Sequence, residues 1–312
     1  MTPSQRVKLA GLRAATWIAC HLPERPLHRL FHVVGAASYL AQPTRRELAR
    51  RNLTRVCAWL VEEGRATPRV ARAARDPRAM DRLVRDAFSH HARYALEVLR
   101  VPPFTRDYLD GHLKIHDSGP PDAGFDGLAA GRGLMYLGLH YGSMEIPGRY
   151  AILRSGKTML TPMETVGDPV MQAWVVGQRL PIGLEIIDPA GGAHRLVAWA
   201  RAGGLVGIVS DRPIAGAARQ TELFGAPAML PVGPALVAME TGIPCQIAVA
   251  RRTGYGTYEI GLIDLAIPEA GQPMRIRVAA FLAAEARAIE TLVAPAPEQW
   301  WTIMFPIWDD IR

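Results

Sequence analysis

Through the first hundred residues the apolar positions fall at helical intervals. Val7–His21 is an apolar stretch interrupted by Arg and Lys, and Pro26 opens a second stretch that runs to Leu40. In Arg45–Glu63, Leu53, Val56, Trp59 and Leu60 recur at i, i+3 and i+4 spacing between pairs of arginines. Asp81–Arg100 reads as a further amphipathic helix, stopped by Pro102–Pro103. From residue 132 the pattern changes to short apolar runs, punctuated by Gly and Pro, that alternate with helical periods. Gly133–Leu139, Leu184–Ile187, Leu205–Ser210 and Pro244–Ala250 read as buried strands. Ser143–Leu153, Asp168–Arg179, Gly192–Ala202 and Pro231–Thr241 read as helices, the last with Pro at its start and Gly242 beyond its end. Tyr258–Ile263 pairs with the preceding strand as a hairpin, and an Ala-rich helix over about Ile276–Leu292 leads into a Pro/Trp-rich tail. Alternating strands and helices predict an α/β fold: a central mixed, mainly parallel sheet covered by helices on both faces. One domain spans 1–312, with a basic helical region at 1–100 and an α/β core at 130–312.

Charge changes the picture in one respect. Hydrophobic residues make up 49% and charged residues 21% of the 312, enough apolar surface for a sizeable core. The formal charge is +7, but residues 1–100 hold nineteen Lys and Arg against eight Asp and Glu, so the first third carries all the excess. A basic helical third suits an anionic membrane surface or a nucleic acid. Nucleic acid is disfavoured, because zinc-finger spacing, an aromatic RNA-binding strand and a clear helix-turn-helix are all missing. The apolar run Leu9–Leu22 contains Arg13 and His21, and Val33–Ala41 is about half the ~20 residues a span requires. Neither a spanning helix nor a signal peptide is expected, so a membrane partner would be met at its surface. Trp17, Phe31 and Trp59, flanked by Arg25, Arg29, Arg45 and Arg46, are the residues such a surface would touch; a helical cap with a solvated basic face is the other reading. Trp300, Trp301 and Trp308 fit either an interface or the core. Cys20, Cys57 and Cys245 show no CxxC spacing, which implies no disulfide framework or zinc site and a reducing setting.

The chemistry concentrates in GLMYLGLHYGSMEIPG, residues 133–148. His140 stands where an apolar strand ends and Glu145 follows five residues on. On one continuous helix that step rotates by roughly 140°, so the two side chains converge only across a turn. Tyr141–Gly142 supplies the turn, Ser143 is a plausible N-cap, and Glu145 falls in the first helical turn. A His–carboxylate pair so formed fixes one ring nitrogen and leaves the other to take a proton from an alcohol; a buried strand-end His beside an unrelated Glu is the plainer alternative. Asp211–Arg212 end another apolar strand, Val206–Ser210. Ligands of open α/β sheets bind beyond the carboxyl ends of strands, which puts His140 and Asp211 on one rim.

The ordered set RRNLTRV (50–56), ARYALEVLRVP (92–102), LHYGSMEIPG (139–148), VSDRP (209–213), LFGAPAMLPVGPALVAMETGIP (223–244) and PEQWW (297–301) resembles the bacterial HxxxxD/E glycolipid acyltransferases. That family includes phosphatidylinositol mannoside acyltransferases and the late lipid A acyltransferases; the mannoside branch is the more similar. The resemblance implies a membrane-associated O-acyltransferase that moves a fatty acyl chain from acyl-CoA, a co-substrate rather than a cofactor, to a glycolipid hydroxyl. It implies His140 as catalytic base with Glu145 as motif partner, and Glu164, Arg179, Asp211, Arg212 and Glu222 as substrate-binding or groove residues, with Glu222 a second possible contact of His140. Arg179 and Arg212 are candidates to meet phosphate on donor or acceptor, with an exposed arginine as the plainer reading. His90–His91 are adjacent and point differently, and His112 and His116 lack a nearby carboxylate cluster, so no metal site is expected. The expected partners are acyl-CoA, a glycolipid acceptor and the anionic cytoplasmic face of the cell membrane, with lipid A or lysophospholipid acceptors, an acyl carrier protein donor, thioester hydrolysis and silent lipid binding as alternatives.

Overall fold

A computed structural model of the chain describes residues 2–101, 103–117, 128, 130–165, 167–189, 192–213 and 216–311. The first third is helical: α1 (Pro3–His21), α2 (Glu24–Ala41), α3 (Pro43–Glu62), α4 (Pro68–Ala73), α5 (Pro77–Leu99) and α6 (Arg106–His112). Proline at the first helical position starts α1, α3, α4 and α5, where its missing N–H would have found no partner. In α5 the Asp76 side chain caps the Arg78 N–H, and Met80, Leu83, Val84, Ala87, Phe88 and Leu96 form the buried stripe.

The remainder alternates β1 (Leu113–Asp117), β2 (Leu134–Gly142), α7 (Glu145–Ser155), β3 (Met159–Pro162), α8 (Pro169–Arg179), β4 (Leu184–Ile187), α9 (Ala193–Arg201) and β5 (Leu205–Val209). Then come the hairpin β6 (Ala218–Leu223) and β7 (Ala226–Pro231), α10 (Gly233–Thr241), β8 (Cys245–Arg252), β9 (Tyr258–Leu265) and α11 (Met274–Val293). Among the described residues seven strands form one sheet in the order β1-β9-β8-β2-β5-β3-β4, in which only the β8–β9 pairing is antiparallel. The expected mixed, mainly parallel sheet is present. Along β2 the side chains alternate between two cores. Met135, Leu137, Leu139 and Tyr141 pack with α3, α5, α9, α10 and α11, while Leu134 and Tyr136 pack with α6 and α7.

Four strands differ from the sequence pattern. β1 and β3 are short, β6 is largely polar, and β7 takes in Pro231, the expected start of a helix; Pro231 ends β7, and α10 begins at Gly233. The β6–β7 turn is Phe224–Gly225, both at positive φ, as a two-residue hairpin requires. In the helical region Trp17 is 62% exposed, but Phe31 packs on the Ala19–Leu27–Leu96 cluster and Trp59 lies edge-on to Phe224. Phe31 and Trp59 therefore point inward, because their helix faces are the ones that meet the core. Trp300 and Trp308 are core residues too.

Candidate active site

The site follows from strand register. β2 and β5 run parallel with Gly138 beside Val209, and two residues further on the same face come His140 and Asp211. Between Gly138 and Gly142 the pairing of β2 with β8 shifts by two residues, a bulge that re-aims the strand end. Gly142 closes the bulge at φ +53°, where an added Cβ would lie 1.9 Å from the Ala250 carbonyl oxygen. Only glycine fits there.

His140 Nδ1 lies 2.7 Å from Asp211 Oδ1. Asp211 Oδ2 accepts three more hydrogen bonds: from the His140 backbone N–H at 3.0 Å, Trp300 Nε1 at 2.7 Å and the Thr302 hydroxyl at 2.8 Å. Burial would raise the Asp211 carboxyl, but the His140 charge and these donors outweigh it and hold the group below its usual range. An ionised carboxylate can only accept, so Nδ1 carries the hydrogen, and in the neutral ring Nε2 is the nitrogen with the basic lone pair. Among the described residues nothing hydrogen-bonds Nε2. The Trp301 ring stands edge-to-face with the imidazole at 4.4 Å and stacks on Tyr94, fixing the ring plane.

Glu145 is not the partner of His140. It sits at the start of α7, buried, paired with Arg179 and accepting from Tyr94 Oη at 3.3 Å. Burial would make Arg179 more acidic, but Glu145 and Tyr94 reverse that and keep it charged. The carboxylate on the adjacent strand, in register with His140, takes the imidazole, and the turn at Gly142 carries Glu145 toward Arg179. Ser143 does not cap α7 either; Met144 occupies the cap position without a side-chain bond. Arg212 bonds Glu164 at 3.0 Å and lies over the Phe305 ring. Arg179 and Arg212 thus both have carboxylate partners, and Glu164 and Arg179 belong to different ion pairs. Glu222 is exposed on β6 opposite Pro227, so it does not contact His140; the hairpin carries it away from the strand ends.

A second polar layer supports the rim. Arg252, at the end of β8, donates through Nε and Nη2 to Glu97 and through Nη2 to the Gly142 carbonyl at 2.6 Å. Tyr258 Oη donates to Glu97 at 2.9 Å, and Gln299 bonds both backbone groups of Arg252 at 2.8 Å. Glu97 and Gln299 therefore clamp the bulge. Thr302 and Arg252 carried no sequence signal, and the Trp-rich tail carried only the motif PEQWW, without a role.

On the α7 face of the sheet lies a cavity of about 120 Å³, walled by Tyr136, Gly138, Met159, Gly207, Val209 and Ala248. Its polar side chains include Ser143, Glu145, Thr161 and Arg179. At Gly207 an added Cβ would meet Met159 Sδ at 2.6 Å. No group of three or more His, Cys, Asp or Glu side chains suited to a metal occurs among the described residues.

The arrangement can activate a hydroxyl beside an apolar chain. A family model described as bacterial lipid A biosynthesis acyltransferase matches residues 5–305. A protein of Mycobacterium tuberculosis named phosphatidylinositol mannoside acyltransferase is 28% identical over 234 residues, 73% of this chain and 68% of that one. Its namesake from Mycolicibacterium smegmatis is 27% identical over 256 residues, 78% and 76% of the two chains.

Proposed function

The chain belongs to the bacterial lipid A biosynthesis acyltransferase family and is an acyltransferase, and from that premise we propose that it moves a fatty acyl chain from acyl-CoA to a hydroxyl of a phosphatidylinositol mannoside, with His140 as general base. The observation that carries the proposal is the Nδ1–H bond to an ionised Asp211, which leaves Nε2 basic at a strand end. An alcohol held at Nε2 loses its proton as its oxygen attacks the thioester carbonyl, and Asp211 stabilises the imidazolium that forms. The apolar cavity is suited to the fatty chain. The names of the mycobacterial relatives support the acceptor.

The acceptor is met at a membrane surface, on its cytoplasmic face. α1 and α2 expose Val7, Trp17, Leu30, Val33 and Leu40 beside Arg6, Lys8, Arg25 and Arg29, a combination that suits an anionic interface. No described helix is long and apolar enough to cross a membrane. The same positive charge favours a phosphate-bearing donor.

Purified protein, radiolabelled acyl-CoA and a panel of lipids (a mannosylated phosphoinositide, a lipid A precursor, a lysophospholipid) test the proposal. Label is expected on the mannosylated lipid, with a fall of about 10²- to 10⁴-fold in His140→Ala. Undiminished transfer by His140→Ala, label released only as free fatty acid, or preference for another lipid contradicts it.

A further inference from the structure

The turn after His140 leaves the Ser143 hydroxyl with nothing to bind. Ser143 is 0% exposed, its backbone N–H donates to the Ala250 carbonyl at 3.0 Å, and its Oγ has no hydrogen-bond partner among the described residues. Buried hydroxyls without partners are uncommon, and one on the wall of a cavity points to something that enters the cavity. The ordinary task of a serine ahead of a helix is absent: α7 has no side-chain cap, and its N-terminal end is left open.

The position is specific. The cavity wall includes Leu139 and Tyr141 of β2, though not His140 between them, and continues through Ser143, Met144 and Glu145. Three residues of chain reach at most about 10 Å, and the left-handed turn at Gly142 shortens that. A fatty chain lying in the cavity has one polar group to place at this end, its thioester carbonyl, which must also come beside His140. Trp301 Nε1, beside the His140 ring, is also unpartnered but does not line the cavity, and two of the other polar groups near this end are committed. Glu145 is paired with Arg179, and Tyr94 Oη donates to Glu145. Tyr141 Oη is unpartnered too, but its ring packs in the core on the opposite face of the sheet.

We propose that Ser143 is a catalytic residue whose Oγ–H bonds the acyl carbonyl oxygen and stabilises the negative charge that develops there; this rests on the acyl transfer at His140 proposed above. The alcohol oxygen bonds to the carbonyl carbon while its proton passes to His140 Nε2, and the C=O π pair moves onto the oxygen that faces Ser143. Collapse re-forms C=O and breaks C–S, and the departing thiolate takes the proton from Nε2, leaving ester and free thiol. A donor aimed at a developing oxyanion acts mainly on kcat.

Two measurements on the full-length chain test this. Ser143→Ala is expected to lower kcat by about 10²- to 10³-fold with KM and thermal unfolding little changed. Independently of turnover, infrared spectroscopy reads the carbonyl stretch of a bound acyl-CoA analogue in which methylene replaces sulfur. The stretch is expected at lower wavenumber in the wild type than in Ser143→Ala. Wild-type kcat in Ser143→Ala, or a lowered kcat with an identical stretch, overturns the assignment; the second result would mean that the hydroxyl, or a water on it, only shapes the turn. A Ser143-dependent stretch in a protein that transfers to no acceptor upholds the carbonyl contact and removes the acyl-transfer proposal instead.

Discussion

Asp211 has four hydrogen bonds, one of them to an imidazole, while Glu285, on α11, has none. It is fully enclosed, and Ser210 Oγ lies beside it outside hydrogen-bond geometry. Burial pushes the Glu285 carboxyl up to about 8; the Ser210 hydroxyl pulls the other way and the Asp211 charge adds to the rise. An unfolded glutamate ionises near 4.5, so between pH 4.5 and 8 the folded chain keeps a proton that the unfolded chain has lost. Stability therefore falls as pH rises through that window, by on the order of 1 kcal/mol per pH unit. Glu285→Gln removes the titration. Urea unfolding at pH 5 and pH 8 should show the variant gaining on the wild type at the higher pH; parallel pH dependence in the two proteins would mean that Glu285 is not held neutral. The same contrast explains the pairing at the site. A carboxylate stays charged in the interior only where donors surround it, and the strand end supplies them to Asp211.

At the scale of elements the bulge in β2 does the positioning. Its closing residue, Gly142, has a left-handed φ and no room for a Cβ, and Arg252 and Glu97 hold its carbonyl from behind. Gly142→Ala is expected to cost more than about 1 kcal/mol of stability and to lower transfer further than unfolding alone explains. Unfolding by denaturant and the transfer rate under folded conditions check this, and wild-type values in both would show the turn to be tolerant. Long periodic elements such as α3, α5 and α11, and the buried runs at β2, β4, β5 and β8, were legible because one period dominates each. β3, with four residues, and β6, with alternating polar residues outside the main sheet, offered no such period. His140 and Asp211 were legible as strand ends on one rim. Their partnership was not, because it depends on which strands are neighbours. HxxxxE drew attention to Glu145, a neighbour in sequence, when the neighbour in space lay 71 residues on. The Trp300, Trp301 and Thr302 contacts were hidden for the same reason: a tail returns to the strand end from far along the chain.

Over the whole molecule α1 and α2 combine exposed apolar side chains with Arg6, Lys8, Arg13, Arg25 and Arg29, while the site lies at the rim of the sheet. Leu40 is 71% and Val33 63% exposed, next to the arginines of the basic third. Co-sedimentation with anionic liposomes is expected, weakening as salt rises because the Debye length falls from about 10 Å at 0.1 M to about 3 Å at 1 M. Equal binding to neutral vesicles would remove the basic face from the explanation. The chemistry depends most directly on Asp211 holding His140 in the tautomer with Nε2 free. The decisive measurement is the single-turnover rate of acyl transfer by Asp211→Asn, which keeps the shape of the side chain and removes its charge. A fall of about 10³-fold or more, with donor binding and fold intact, is predicted. A rate close to the wild type's would contradict the role assigned to the pair.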